Sequence, residues 1–171
     1  MKYLIHAPGL GHMCMESAAA LGAAVWLAIQ SPRVKDMAVH QLNQLLLQPQ
    51  AAGCHVLIAS EDAQGGWTPC VWLAYAQMNA EFERDYMRNP DWPLATSAWQ
   101  SGDRLWLIYL LAPNGLNPSV KKMLKDLFAR RSARHLNIDA HRVGQRVLIS
   151  RGSGCSRDEA KHYWQERSIL A

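Results

Sequence analysis

A chain of 171 residues with 49% hydrophobic side chains carries enough apolar material for one globular domain with a buried core. No apolar run approaches the roughly 18 residues of a membrane-spanning helix, and the opening Met-Lys-Tyr-Leu-Ile-His-Ala-Pro-Gly is too short, and broken too early by Pro8, for a secretory leader; a cytoplasmic location is expected. Net charge is +4, but residues 1–114 hold six Lys/Arg against nine Asp/Glu and residues 115–171 hold twelve against five, so a basic C-terminal third points to an anionic partner. Those Lys/Arg are not interleaved with aromatics in a recognisable motif, which makes nucleic acid an unlikely partner.

In chain order, Tyr3–Ile5 is a possible strand, and Gly9-Leu10-Gly11-His12 lacks the lysine and following helix of a phosphate loop. Glu16 to Gln30 is rich in Ala and Leu and reads as a helix ended by Pro32. A second helix is expected from Asp36 to Leu47, with Val39, Leu42, Leu45 and Leu46 as its apolar stripe, Asp36 as its cap and Pro49 just beyond its end. Cys54–Ser60 and Trp67–Ala76 read as the strands of a hairpin, with Pro69 marking an edge or a strand start. Asn79–Arg88 consists mostly of helix formers, and Asn89-Pro90-Asp91-Trp92-Pro93 breaks the chain.

Leu105 to Leu111 is an unbroken apolar run bounded by turn residues, the pattern of a strand buried on both faces. Asn117-Pro118-Ser119 starts a helix reaching about Arg130, with Val120, Met123, Leu124, Leu127 and Phe128 inward and Lys121, Lys122 and Lys125 outward. Gln145–Arg151 reads as a last strand. Ser156-x-x-Glu159 is a capping box that opens a helix over Arg157–Arg167. Four cysteines, Cys14, Cys54, Cys70 and Cys155, have no metal or disulfide-scaffold spacing and are expected reduced, with Cys14 and Cys155 exposed. These elements describe a single α+β domain, a mixed β-sheet flanked by helices.

Two blocks carry a resemblance. Ser101-Gly102-Asp103-Arg104-x-Trp106-x-Ile108-x-x-x-Ala112-Pro113-x-Gly115 and Leu21-Gly22-x-x-x-Trp26-Leu27-x-x-x-Ser31-Pro32 are similar to the signatures of the toxin-activating lysine acyltransferases, in that family's order and at about its spacing. The similarity runs from about Leu21 to about Arg167. It implies a fold like the GCN5-related N-acetyltransferases over residues 21–171, with residues 1–20 as an N-terminal extension. It also implies transfer of a fatty acyl chain from acyl carrier protein to internal lysines of an RTX-type protoxin, and a homodimer. No cofactor is expected to be bound: Arg142-Val143-Gly144 is only a fragment of a pyrophosphate loop, and a carrier protein brings its own phosphopantetheine arm.

The resemblance implies a catalytic histidine after Ser-Pro and an aspartate on the signature strand. The matching positions here are Val34 and Tyr109. Ser31 matches the motif, although helix termination accounts for it equally. His40 is the candidate replacement base, with His12 and His55 behind it. Lys121, Lys122, Lys125, Arg130 and Arg131 are the candidate docking surface for the acidic carrier. Two functions follow: an acyltransferase, or a silent homologue that binds the carrier, a toxin-like polypeptide or an active partner.

Overall fold

The computed structural model describes residues 2–32, 34–90, 93–137 and 146–169. Arg142-Val143-Gly144, Gln145 and the Asp91-Trp92 part of the chain break lie outside the described residues, as does Arg33 beside the Ser-Pro end. The strands are β1 (Tyr3–His6), β2 (His55–Glu61), β3 (Trp67–Met78), β4 (Arg104–Leu111), β5 (Ser132–Asn137) and β6 (Arg146–Arg151). They follow chain order across a six-stranded sheet. β1–β2, β2–β3 and β5–β6 pair antiparallel, and β4 meets β5 in parallel at Trp106 and Arg134. The helices are α1 (Ser17–Gln30), α2 (Gln48–Ala51), α3 (Ala80–Arg88), α4 (Pro118–Leu127) and α5 (Arg157–Glu166). The α+β class with a mixed sheet and flanking helices is therefore as the sequence predicts, and it is consistent with a GCN5-related fold. By packing, the chain falls into two units: Met1–Tyr75 with Tyr109–Asn117, and Ala76–Ile108 with Pro118–Ala171.

The first unit has an apolar interior. α1 buries Ala20, Ala24, Leu27 and Ala28 in a cluster with Leu45, Leu46, Leu57, Trp72 and Leu111. Three alanines on one stripe let the helix backbone come close to the side chains it covers. The Trp72 indole donates to the Leu45 carbonyl at 3.3 Å, which satisfies its buried N–H. The second helix of the sequence reading does not form as one piece. It becomes a 3₁₀ turn at Val39–Gln41, a π-helical turn at Asn43–Leu47, and then α2. Pro49 does not follow a helix end: it sits in the first turn of α2, where its missing N–H does no harm. The Gln41 side chain, not Asp36, accepts at the entry, from the Ala38 amide at 3.0 Å. Val39, expected in the apolar stripe, is 83% exposed. Pro69 falls where the β2–β3 register skips between Ile58 and Ala59, a bulge that absorbs its missing donor.

The second unit is organised around a buried carboxylate. Glu83 on α3 is 1% exposed. It accepts from Arg104, from Arg134 at 2.6 Å and from the Trp106 indole at 2.8 Å. Arg134 also stacks over Trp164 at 4.0 Å and donates to the Arg167 carbonyl at 3.1 Å. Strand β5, absent from the sequence reading, is placed by this node. The Asn79 side chain caps α3 through the Phe82 amide, and the Ser156–Glu159 capping box opens α5 as read.

Two burial expectations change. β4 buries Leu105, Trp106 and Leu111, but Leu107, Ile108 and Tyr109 are half-buried and Leu110 is exposed. It pairs with β5 at Trp106, near the strand's start. Cys155, expected exposed, is buried, with its Sγ 3.7 Å from the Ser156 carbonyl. Cys14 is exposed, and all four thiols are unbridged.

Candidate functional site

α1 ends at Ser31 because Pro32 follows it. The Ser31 hydroxyl is buried and donates to the Leu27 carbonyl at 2.8 Å, while the Ser31 carbonyl accepts from the Val34 and Lys35 amides at 3.0 and 2.9 Å. This turn brings Val34 back onto the apolar cluster that α1 covers. Tyr109, reached along β4, packs against the same cluster. The structure therefore brings Val34 and Tyr109, the two positions singled out by the resemblance, onto one hydrophobic surface within the first unit. The side chains there are an aliphatic group and a phenol. Neither is the imidazole or the carboxylate that the resemblance implies for proton transfer.

The histidines do not fill the gap in one place. His40 stands exposed on the 3₁₀ turn Val39–Gln41. His12 is exposed, its carbonyl accepting from the Ala7 amide at 2.7 Å. His55 is 1% exposed and stacks on Trp72 with centroids 4.6 Å apart; His6 lies 5.4 Å away on β1. Burial, then the neighbouring His6, holds the His55 imidazole down at about 4, and the Pro49 carbonyl opposes this only partly without meeting hydrogen-bond geometry. His6 is lowered by burial as well. His55 is therefore a neutral ring stacked on Trp72. His55 is no base for a proton held at neutral pH.

The basic candidates all lie in the second unit. Lys121, Lys122 and Lys125 are exposed on α4, with Lys122 paired to Asp126 at 2.8 Å. Arg130 and Arg131 are exposed just before β5 and line a cavity of about 600 Å³ with Asp103, Cys155 and Tyr163. Sequence reasoning found the arginines but not the cavity, whose walls come from five separate segments. It also missed the Glu83–Arg134 node, because a charged residue on a helix or strand reads as solvent-facing unless its partner is known. Among the described residues no three His, Cys, Asp or Glu side chains converge as a metal site, and no helix is long and apolar enough to cross a membrane.

The chain is similar to several protein-lysine acyltransferases. The protein-lysine palmitoyltransferase CyaC of Bordetella bronchiseptica is 37% identical over 95 residues, which is 56% of this chain and 48% of that protein. The protein-lysine myristoyltransferase HlyC of Escherichia coli is 29% identical over 119 residues, covering 70% of this chain and 66% of that one. The protein-lysine myristoyltransferase RtxC of Kingella kingae is 26% identical over 126 residues, covering 74% and 72%. The chain thus spans about half to two thirds of the length of the first two of these relatives. The family model for RTX toxin acyltransferases matches residues 13–151, a stretch that contains both signature blocks, Val34 and Tyr109. On that match, the chain belongs to the RTX toxin acyltransferase family.

Proposed function

We propose that this chain transfers a fatty acyl group from acyl carrier protein to a lysine of an RTX-type polypeptide. The observation that carries the reading is the family match over residues 13–151. The exposed cations of the second unit, Lys121, Lys125, Arg130 and Arg131, suit an acidic carrier. In the first unit, Trp26 and Ile29 of α1 stand exposed and offer apolar surface to an acyl chain. The setting is cytoplasmic and the protein works as a homodimer.

The chemistry needs a neutral amine and a stabilised oxyanion. With Val34 and Tyr109 on an apolar cluster, the acceptor lysine is made neutral by desolvation rather than by a histidine, because burial without a counter-charge lowers an ammonium pKa. The Tyr109 hydroxyl then serves as donor to the tetrahedral oxygen. The reading requires the rate to climb with pH well past 7, since the lysine itself titrates. It also requires Tyr109→Phe to slow transfer about 100- to 1,000-fold. The check is acylation followed by intact mass over pH 6–9. A plateau set by a group near 6.5, or full activity in Tyr109→Phe, rejects this mechanism.

A second reading is favoured by the same two residues: a member that binds carrier or polypeptide without turnover. It calls for complex formation with no acyl mass added, and for activity to appear on restoring Val34→His with Tyr109→Asp.

A further inference from the structure

Within the second unit, the 600 Å³ cavity is walled by Gln77, Leu105, Arg130, Arg131, Cys155 and Tyr163, together with the two acids Asp103 and Glu159. Its frame is fixed by backbone. Three consecutive amides of the Gly152-Ser153-Gly154 turn donate to the carbonyls of Arg131, Lys125 and Ala129 at 2.9, 3.0 and 2.8 Å. A Cβ on Gly152 would collide with the Phe128 carbonyl, so this turn approaches the end of α4 as closely as glycine permits. Across the cavity the Gly102 amide donates to the Gln77 carbonyl at 2.9 Å, and a Cβ on Gly102 would lie 2.6 Å from the Met78 oxygen. Both rims are set before any ligand arrives, which reduces the ordering a ligand must impose.

The charges of the wall are unequal once their partners are assigned. Asp103 accepts from Arg167 Nε at 2.9 Å and Nη2 at 2.6 Å, bonds that hold its carboxyl below the ordinary range. Glu159 accepts from the Ser156 amide at 2.7 Å and is held down likewise. Both acids are engaged in holding the fold. Arg130 and Arg131 have no carboxylate partner among the described residues; Arg131 commits one N–H to the Gln77 side-chain oxygen at 3.1 Å. The ring of Tyr163 is locked, with Arg167 stacked on one face at 3.9 Å and its hydroxyl donating to the Asp103 carbonyl at 2.7 Å.

We propose that this cavity binds a small organic phosphate, with the phosphate on Arg130 and Arg131 and an apolar body against Leu105 and Tyr163. The two guanidiniums bring about ten N–H donors, more than the roughly four acceptor sites of one carboxylate can use, and their forks match phosphate oxygens. The volume lies within the range of about 300–1,000 Å³ common to small-molecule sites. The proposal does not depend on acyl transfer, and its test contains no carrier or toxin, so either can fail alone.

The test is calorimetric titration of the full chain at low ionic strength, where exposed charges are least screened, with inorganic phosphate and with phenyl phosphate. Saturable one-to-one binding is expected, with phenyl phosphate about fivefold tighter or more because its ring meets the apolar wall. Arg130→Gln and Arg131→Gln should each weaken binding about tenfold. Lys122→Gln, which removes the same charge on α4 away from the cavity, should change it less than about twofold. If Arg131→Gln lowers the melting temperature through its lost contact with Gln77, the Arg130→Gln result decides. Absence of saturable binding, equal affinity for the two probes, or a loss in Lys122→Gln as large as in Arg130→Gln overturns the proposal.

Discussion

The two units of this chain bury different chemistry. In the first, the interior is Ala, Leu and Trp, and its buried histidines are held neutral by their surroundings. In the second, a carboxylate, two guanidiniums and an indole N–H meet inside. The positions where the resemblance implies a proton-transferring pair are Val34 and Tyr109 in the first unit, and both rest on its apolar interior. The unit that kept buried charge uses it for architecture: Glu83 ties α3 to β4 and β5. Buried charge and catalytic charge are separable, and the abundance of one in this chain says nothing about the other.

The sharpest way to break the contrast is Glu83→Ala. It leaves Arg104 and the buried Arg134 without their counter-ion and Trp106 without its acceptor. A loss of about 3–5 kcal/mol in denaturant unfolding is expected. A loss under about 1 kcal/mol would mean that the node is dispensable.

The first unit gives a pH test. His55 sits at about 4 in the folded chain and near 6.5 unfolded. Its depressed value means that the unfolded state takes up the proton first. Stability is therefore full above about pH 6.5, falls as pH drops from there toward 4, and changes no further through this group below that. The whole effect is about 3 kcal/mol. His55→Leu should flatten the curve between pH 7 and 5, where carboxylates contribute little. An unchanged slope in the variant would show that His55 is not the group responsible.

Smaller effects separate the two helix ends. Ser31→Ala removes a buried hydroxyl bond to Leu27, and Ser156→Ala removes the α5 cap. Each should cost about 1 kcal/mol in urea titration. A Ser31 variant with unchanged stability would return that residue to the list of catalytic candidates.

Legibility in the sequence followed the same division. α1, the hairpin, β4, α4 and the α5 cap could be read because their signals are apolar period, proline and capping spacing. β5 could not: Ser-Ala-Arg-His-Leu-Asn has no apolar run, and its buried Arg134 is acceptable only because Glu83, 51 residues earlier, lies opposite it. The Asp36–Leu47 helix was over-read because leucines at near-helical spacing also fit a 3₁₀ turn followed by a π turn. Of the site, the motifs located Val34 and Tyr109 and the charge count located Arg130 and Arg131. That the first pair shares one apolar cluster, and that the second pair lines a cavity, depends on contacts distant in sequence, which no local pattern encodes.

The central claim is that a member of this family with Val34 and Tyr109 where the resemblance implies histidine and aspartate still acylates lysine. Its most direct test is intact-mass spectrometry of an RTX-type substrate after incubation with this protein and acyl-loaded carrier protein. The account predicts a mass increase of one fatty acyl group, growing with pH and reduced in Tyr109→Phe. No increase at any pH, with carrier or substrate binding intact, would contradict it and leave the chain as a binding member whose catalysis belongs to a partner.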